Sequence, residues 1–188
     1  MRKKELVVDG VADSVTDSMT NSVTDNMTDK PIRVLFVCLG NICRSPTAHA
    51  LFQALVNKEN LQDKILVDSA GTGGWHIGHS PDKRAQQTAL AEGCDISHLR
   101  SRVVTVDDFS TFDYILGMDQ DNFKHLAMMK PNNFNGVLGL FLTEADVVQV
   151  DEVPDPYYGD EKHFEEAMAL IQRGVAGLMN RIKNNHHL

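Results

Sequence analysis

A thiol and a guanidinium stand six residues apart in the run C-L-G-N-I-C-R-S-P, at Cys38 and Arg44. A thiol attacks as its anion, and converging backbone amides with the positive end of a helix favour that anion. Arg44 can take two oxygens of a phosphoryl group in its fork and hold the phosphorus over the sulfur. The same donors would stabilise charge building on the equatorial oxygens during transfer. Ser45 can donate to the Cys38 sulfur, and Gly40 permits a backbone conformation that strains other residues. A buried structural cysteine is the commoner fate of an unpaired thiol. Arginine and serine at these offsets, with a strand before and a helix after, decide for chemistry.

A carboxyl that fits the same chemistry lies far along the chain. Asp155 sits in V-P-D-P-Y-Y-G-D, Val153 to Asp160, where two prolines and a glycine dictate a rigid, exposed loop. Cleaving a phosphate ester leaves an alkoxide or phenoxide, and a positioned acid that protonates it contributes about 10²–10⁴-fold. Alone, D-P-Y is an ordinary surface turn. Beside a loop of the Cys38 kind it reads as a general acid.

These residues need elements to bring them together. Ile32 to Val37 is an apolar, β-branched run of the buried parallel-strand kind. Ser45-Pro46 reads as an N-cap followed by proline at the first helical position, opening a helix to Asn57. Strand, tight loop and helix start form an anion cradle. Lys64 to Ala70 is a second strand, leading into a glycine-rich loop with the only tryptophan, Trp75. Trp75 could pack on the core; the reading preferred here is one wall of a cleft for a flat aromatic ring. A helix over Pro81 to Glu92 is closed by Gly93. Further strands are expected at Phe112 to Met118, ending at Asp119, and at Gly136 to Leu142. Helices are expected from Asp121 through Met129 and from Met168 to Ile182. Alternating strands and helices imply a three-layer α/β fold with a parallel sheet.

The motifs C-L-G-N-I-C-R-S-P, S-A-G-T-x-x-W-H-x-G, M-D-x-x-N and D-P-Y-Y-G together resemble the low-molecular-weight protein tyrosine phosphatases, over about residues 31 to 184. The resemblance implies a four-stranded parallel doubly wound sheet, helices on both faces, and the site at the strand C-termini. It implies Cys38 as nucleophile, Arg44 as phosphate clamp and Asp155 as general acid and base. Asn41 would hold the loop's shape and Ser45 would support the thiolate, with Leu39, Gly40, Ile42 and Cys43 completing the substrate-binding loop. Trp75, Tyr157 and Tyr158 would rim the cleft. Asp119 and Asn122 would lie near the sheet edge, and Asp82 and Arg84 match the family's D-x-R pair, read as structural. His98 resembles a family histidine that hydrogen-bonds near the loop; a surface histidine beside arginines is the alternative. The implied reaction is hydrolysis of protein tyrosine phosphate and small aryl phosphates through a cysteinyl-phosphate, with no metal and no cofactor. Phosphotyrosine-containing proteins are the implied partners, a tyrosine kinase among them.

Within the same resemblance three rivals are separated by residues. An arsenate reductase relays a disulfide through two further cysteines, and only Cys94 is available outside the loop. A protein-arginine phosphatase carries a threonine where Ile42 stands and lacks the aromatic wall. A non-catalytic phosphotyrosine-binding module needs neither thiol nor acid.

Composition sets the remaining bounds. The chain of 188 residues suits one domain, and its net charge of −8 argues against nucleic acid or an anionic membrane surface as partner. Three cysteines make no disulfide framework, so the cytoplasm is the expected compartment. Cys94 reads as a small buried side chain, and Cys43 could cap Cys38 in a reversible disulfide. His76 and His79 beside the cysteines lack the paired spacing of zinc ligands. No stretch is long and apolar enough to span a bilayer, and the basic N-terminus lacks the core of a signal peptide. A monomer or weak homo-oligomer is expected. Residues 1–30 differ from the rest: four-residue units such as D-S-V-T and D-S-M-T repeat from Asp13 to Thr28. Poor helix formers dominate there, so a low-complexity extension, disordered or transiently helical, is expected before the domain at 31–188.

Overall fold

Side chains alternate across a strand, so a strand apolar at nearly every position must be covered on both faces. The strand β1 (Ile32–Cys38) meets that condition. Val34, Phe36 and Cys38 join one apolar cluster, while Leu35 and Val37 join another on the opposite face. The computed structural model describes residues 30–188; the repeat extension expected over 1–30 lies outside the described residues but for Lys30.

Nine elements follow β1 in order. They are α1 (Arg44–Lys58), β2 (Ile65–Gly71), α2 (Lys83–Ala91), α3 (Asp108–Thr111) and β3 (Tyr114–Gly117). Then come α4 (Gln120–Met129), β4 (Val137–Leu140), α5 (Phe141–Glu144) and α6 (Glu161–His186). The sheet is parallel throughout, in the order β2-β1-β3-β4. Helices α1 and α6 cover one face, where the Phe36 ring stands edge-on to Phe52 and Phe141 at 5.7 and 5.1 Å. Helices α3 and α4 cover the other, with Phe109 and Leu126 on Leu35 and Ile115. This is the three-layer α/β fold expected from the strand–helix alternation, with the doubly wound topology that the family resemblance implied. In such sheets ligands bind where the winding reverses, outside the C-termini of the two central strands. Here those strands are β1 and β3, and Cys38 is the last residue of β1.

Several boundaries differ from expectation, and strand β3 is shorter than the expected Phe112 to Met118. Helix α1 opens at Arg44 with Cys43 as N-cap, so Ser45 is no cap and Pro46 is the third helical residue. Proline is tolerated there because first-turn N–H groups have no intrahelical partner. The run Gly136 to Leu142 is strand only from Val137 to Leu140, and fully buried Phe141 and Leu142 turn into α5. An unbroken apolar run carries no mark of where a strand bends away. Helix α6 begins at Glu161, well before Met168, because Asp160 and His163 close a capping box. Its first two turns bury only Phe164 and Ala167, too little to show a period. The short α3 was not expected. It is pinned by Asp108, whose carboxylate accepts from Thr105 N and from Arg102.

Among the described residues no helix is long and apolar enough to cross a membrane.

Candidate active site

The loop after β1 is tied down by its carbonyls. Cys38 O accepts from Thr72 N at 2.9 Å and Leu39 O from Gly73 N at 2.8 Å. Gly40 O accepts from the Ser101 hydroxyl, and Ile42 O from Asp82 N. Across a trans peptide the carbonyl and the following N–H point in opposite directions. Outward carbonyls therefore turn the N–H groups of Leu39, Gly40, Asn41 and Cys43 toward the loop's interior. Asn41 N shows the result, donating to Cys38 Sγ at 3.3 Å.

The left-handed residue is Asn41, with φ of 53°, and not Gly40. That conformation costs an L-residue about 1–2 kcal/mol, and here three hydrogen bonds offset it. The Asn41 amide donates to Ser45 Oγ and Ser69 Oγ at 2.9 and 3.0 Å, and its carbonyl accepts from Arg102 N at 3.0 Å. What Gly40 supplies is room: a Cβ there would lie 3.1 Å from Cδ2 of His76. Gly71, closing β2, is needed for a stricter reason, since its Cβ would fall 2.8 Å from the Leu39 carbonyl oxygen. Backbone cannot retreat from such a contact as a flexible side chain can.

Ser45 Oγ lies 3.1 Å from Cys38 Sγ and 3.2 Å from Ala70 O. One hydroxyl has one hydrogen. With the thiol protonated, sulfur donates to Ser45 and Ser45 donates to Ala70 O. With sulfur anionic, the hydroxyl turns and donates to it. The neighbouring Cys43 thiol is pushed far above its ordinary value, chiefly by burial and then by charge on Cys38, and stays protonated.

Arg44 is 2% exposed. Its Nη1 pairs with Asp119 at 2.5 Å and donates to Val153 O at 3.0 Å; Nη2 pairs with Asp155 at 2.7 Å. Burial alone would lower the guanidinium's affinity for its proton, but the charges of Cys38, Asp155 and Asp119 outweigh it and hold it raised. The buried Nε has no hydrogen-bond partner among the described residues. Asp119 is N-cap of α4, accepting from Asn122 N, so one carboxylate both starts that helix and fixes Arg44. Asp155 is 38% exposed, and its Oδ1 accepts from Tyr157 N.

A cavity of about 340 Å³ joins these groups. Cys38, Gly40, Cys43 and Arg44 line it together with Leu39, Ile42, Trp75, Asp155, Tyr157 and Tyr158. Cys38 is 2% exposed whereas Trp75 and Tyr158 are 73% and 97% exposed, so sulfur is at the bottom and the aromatic rings are at the mouth. Asn41 and Ser45, expected in the substrate-binding loop, are buried and do not line the cavity.

His98 is not brought to the loop. It is exposed and makes no hydrogen bond among the described residues; the Ser101 hydroxyl and Arg102 N contact the loop instead. Sequence reasoning weighed His76 only as a zinc ligand, whereas it lines the cavity 6.2 Å from the Tyr157 ring, and it missed Ser69. Both stood inside the S-A-G-T-x-x-W-H-x-G motif, whose small and polar positions were the available signal.

Similarity to known proteins agrees with this geometry. Residues 33–188 match the family model for low molecular weight phosphotyrosine protein phosphatase. The chain is 41% identical over 157 residues to the low molecular weight protein-tyrosine-phosphatase YfkJ of Bacillus subtilis, covering 84% of this chain and 99% of that protein. Among solved structures it resembles a protein tyrosine phosphatase from Entamoeba histolytica, with a TM-score of 0.78 and 34% identity over 82% and 99% of the two chains. It also resembles an arginine phosphatase of Drosophila, with a TM-score of 0.74 and 33% identity over 81% and 98%. With a buried sulfur facing a fixed guanidinium at the switch point of such a sheet, the chain belongs to the low molecular weight phosphotyrosine protein phosphatase family.

Proposed function

We propose that the protein hydrolyses protein tyrosine phosphate and small aryl phosphates in two steps. The Cys38 thiolate attacks phosphorus in line; the P–O bond to the leaving group breaks, and Asp155 gives that oxygen its proton. Water then attacks the cysteinyl-phosphate, Asp155 takes a proton from it, and sulfur leaves as thiolate with release of phosphate. Arg44 and the loop amides hold the phosphoryl oxygens throughout.

The observation that carries this reading is the convergence of Cys38, Arg44 and Asp155 on one cavity from three separate elements. The unpartnered Arg44 Nε supports it, being a buried donor that a bound oxyanion would satisfy. A phosphoryl oxygen that takes Nη2 would also release Asp155 from its ion pair, freeing it to carry a proton.

The aromatic mouth favours phosphotyrosine over phosphoarginine. The wider reading has the enzyme in the cytoplasm as a monomer or weak homo-oligomer, acting on phosphotyrosine proteins, a tyrosine kinase among them. Turnover of phosphotyrosine and phosphoarginine peptides by wild type and Cys38→Ser tests it. Wild type should prefer phosphotyrosine, and Cys38→Ser should lose about 10⁵-fold or more in rate while still binding inorganic phosphate. Retained turnover in Cys38→Ser would remove the mechanism, and a preference for phosphoarginine would remove the substrate.

A further inference from the structure

Asp155 lies in an exposed loop, yet a proton donor must be held within hydrogen-bond reach of the leaving oxygen. Besides its bonds to Arg44 and Met118, the loop is connected to helix α2. The Arg84 guanidinium donates through Nη2 to Tyr157 O and through Nη1 to Gly159 O, both at 3.0 Å. Tyr157 N in turn donates to Asp155 Oδ1 at 3.2 Å. Two hydrogen bonds and one residue of backbone separate Arg84 from the acid carboxylate.

Arg84 is itself fixed. Asp82 Oδ1 accepts from Arg84 N and Nε at 2.8 and 3.0 Å, and Oδ2 accepts from Nη2 at 2.9 Å. These bonds hold the Asp82 carboxyl below the usual carboxylate range. The guanidinium also lies 4.5 Å from the centre of the Phe164 ring on α6 and 5.8 Å from that of Tyr157. The N–H of Asp82 donates to Ile42 O at 2.8 Å, within the Cys38 loop. Asp82 and Arg84 thus touch both halves of the site, one through each residue.

We infer that Arg84, braced by Asp82, is a positioning residue that registers the Asp155 loop over the Cys38 loop for proton transfer to the leaving group. Neither residue lines the cavity. The inference rests on the acid role proposed for Asp155, and its test separates the two.

The test compares kcat/KM, which covers formation of the cysteinyl-phosphate and not its hydrolysis, for phenyl phosphate and 2,4-dinitrophenyl phosphate. The dinitrophenolate leaves without a proton; the phenolate needs one. Arg84→Met keeps an unbranched stem against Phe164 but has no donors. It should lose about tenfold or more on phenyl phosphate and less than about twofold on the dinitrophenyl ester. Inhibition by inorganic phosphate should be unchanged. In an Asp155→Ala background, Arg84→Met should cost nothing further on phenyl phosphate. Equal losses on both esters, or a further loss in that background, would overturn the inference. Should Arg84→Met not fold, Asp82→Asn carries the same test with a smaller expected loss, and equal losses there overturn it too. If Asp155→Ala alone does not distinguish the esters, the acid role fails and the inference with it. If Asp155→Ala distinguishes them and Arg84→Met does not, the inference alone fails.

Discussion

From Cys38 to Ser45 only Leu39 and Gly40 are not buried, whereas from Val153 to Asp160 only Val153 and Pro156 are. The two loops face one cavity. The first has four of its carbonyls bonded to neighbouring elements and one asparagine bonded on three sides. The second hangs on Arg84, on the Arg44 ion pair and on Val153 N donating to Met118 O. The difference fits the roles proposed for the two loops. An oxyanion has a fixed shape, and donors held in place beforehand lose no free energy reorganising around it. A leaving oxygen differs in position from one ester to the next, and an acid must reach each of them. Rigidity suits the first task and a lightly tethered loop suits the second.

The largest effect should come from altering the guanidinium that both loops share. Arg44→Lys keeps a charge but loses the planar fork, so kcat/KM should fall about 10²–10³-fold for every ester, whatever its leaving group. A loss confined to poor leaving groups would assign Arg44 to the Asp155 side instead. Next is Asn41→Ala, which keeps the left-handed backbone and strips it of three hydrogen bonds. Chemical denaturation should show a loss of about 2–4 kcal/mol, with weaker phosphate binding. A variant as stable as wild type would mean the Cys38 loop is not held through that side chain.

Effects on the Asp155 side should be smaller and should leave stability alone. Tyr158→Ala removes a ring that is 97% exposed. KM for phosphotyrosine peptides should rise a fewfold with the melting temperature unmoved, since surface changes stay within about 0.5 kcal/mol. A clear fall in melting temperature would show that the mouth is part of the core.

The smallest expected effect concerns pH and lies behind the Cys38 loop. His49 on α1 is largely buried with Nδ1 4.0 Å from Asp68, and burial lowers its proton affinity below the ordinary value of 6.5. Asp68 opposes that shift, and His98 and Arg102 reinforce it. Below pH 6.5 the unfolded chain binds a proton that the native state refuses. Stability is therefore full above about pH 6.5 and declines as pH falls toward the native-state value. Denaturation of wild type and His49→Phe at pH 7.5 and 5.5 checks this, with a shallower decline expected in the variant. An unchanged decline would place the acid sensitivity elsewhere.

Much of the molecule was legible in the chain because its signals are local. An apolar β1 buried on both faces announces a parallel sheet, and a thiol, an arginine and a serine at fixed offsets after it announce an anion cradle. The D-P-Y-Y-G run marked the second loop. Other features depended on partners distant in sequence. Ser45 looks like a helix cap by its place before Pro46, yet its hydroxyl is committed to Cys38 and Ala70. His98 resembled a family histidine that contacts the loop, but it is exposed as its arginine neighbours also allowed, with Ser101 and Arg102 meeting Gly40 and Asn41 instead.

Residue order by itself therefore determined the strand–helix alternation, the sulfur at the end of β1 and the guanidinium one turn of chain away, because each is encoded within a few residues. Only the tertiary structure decided that Arg44 meets Asp119 and Asp155, and that Arg84 reaches Tyr157 and Gly159. Those contacts join segments about 70 to 110 residues apart, and it is the packing of helices across a twisted sheet, rather than any nearby motif, that selects which distant side chains share a cavity.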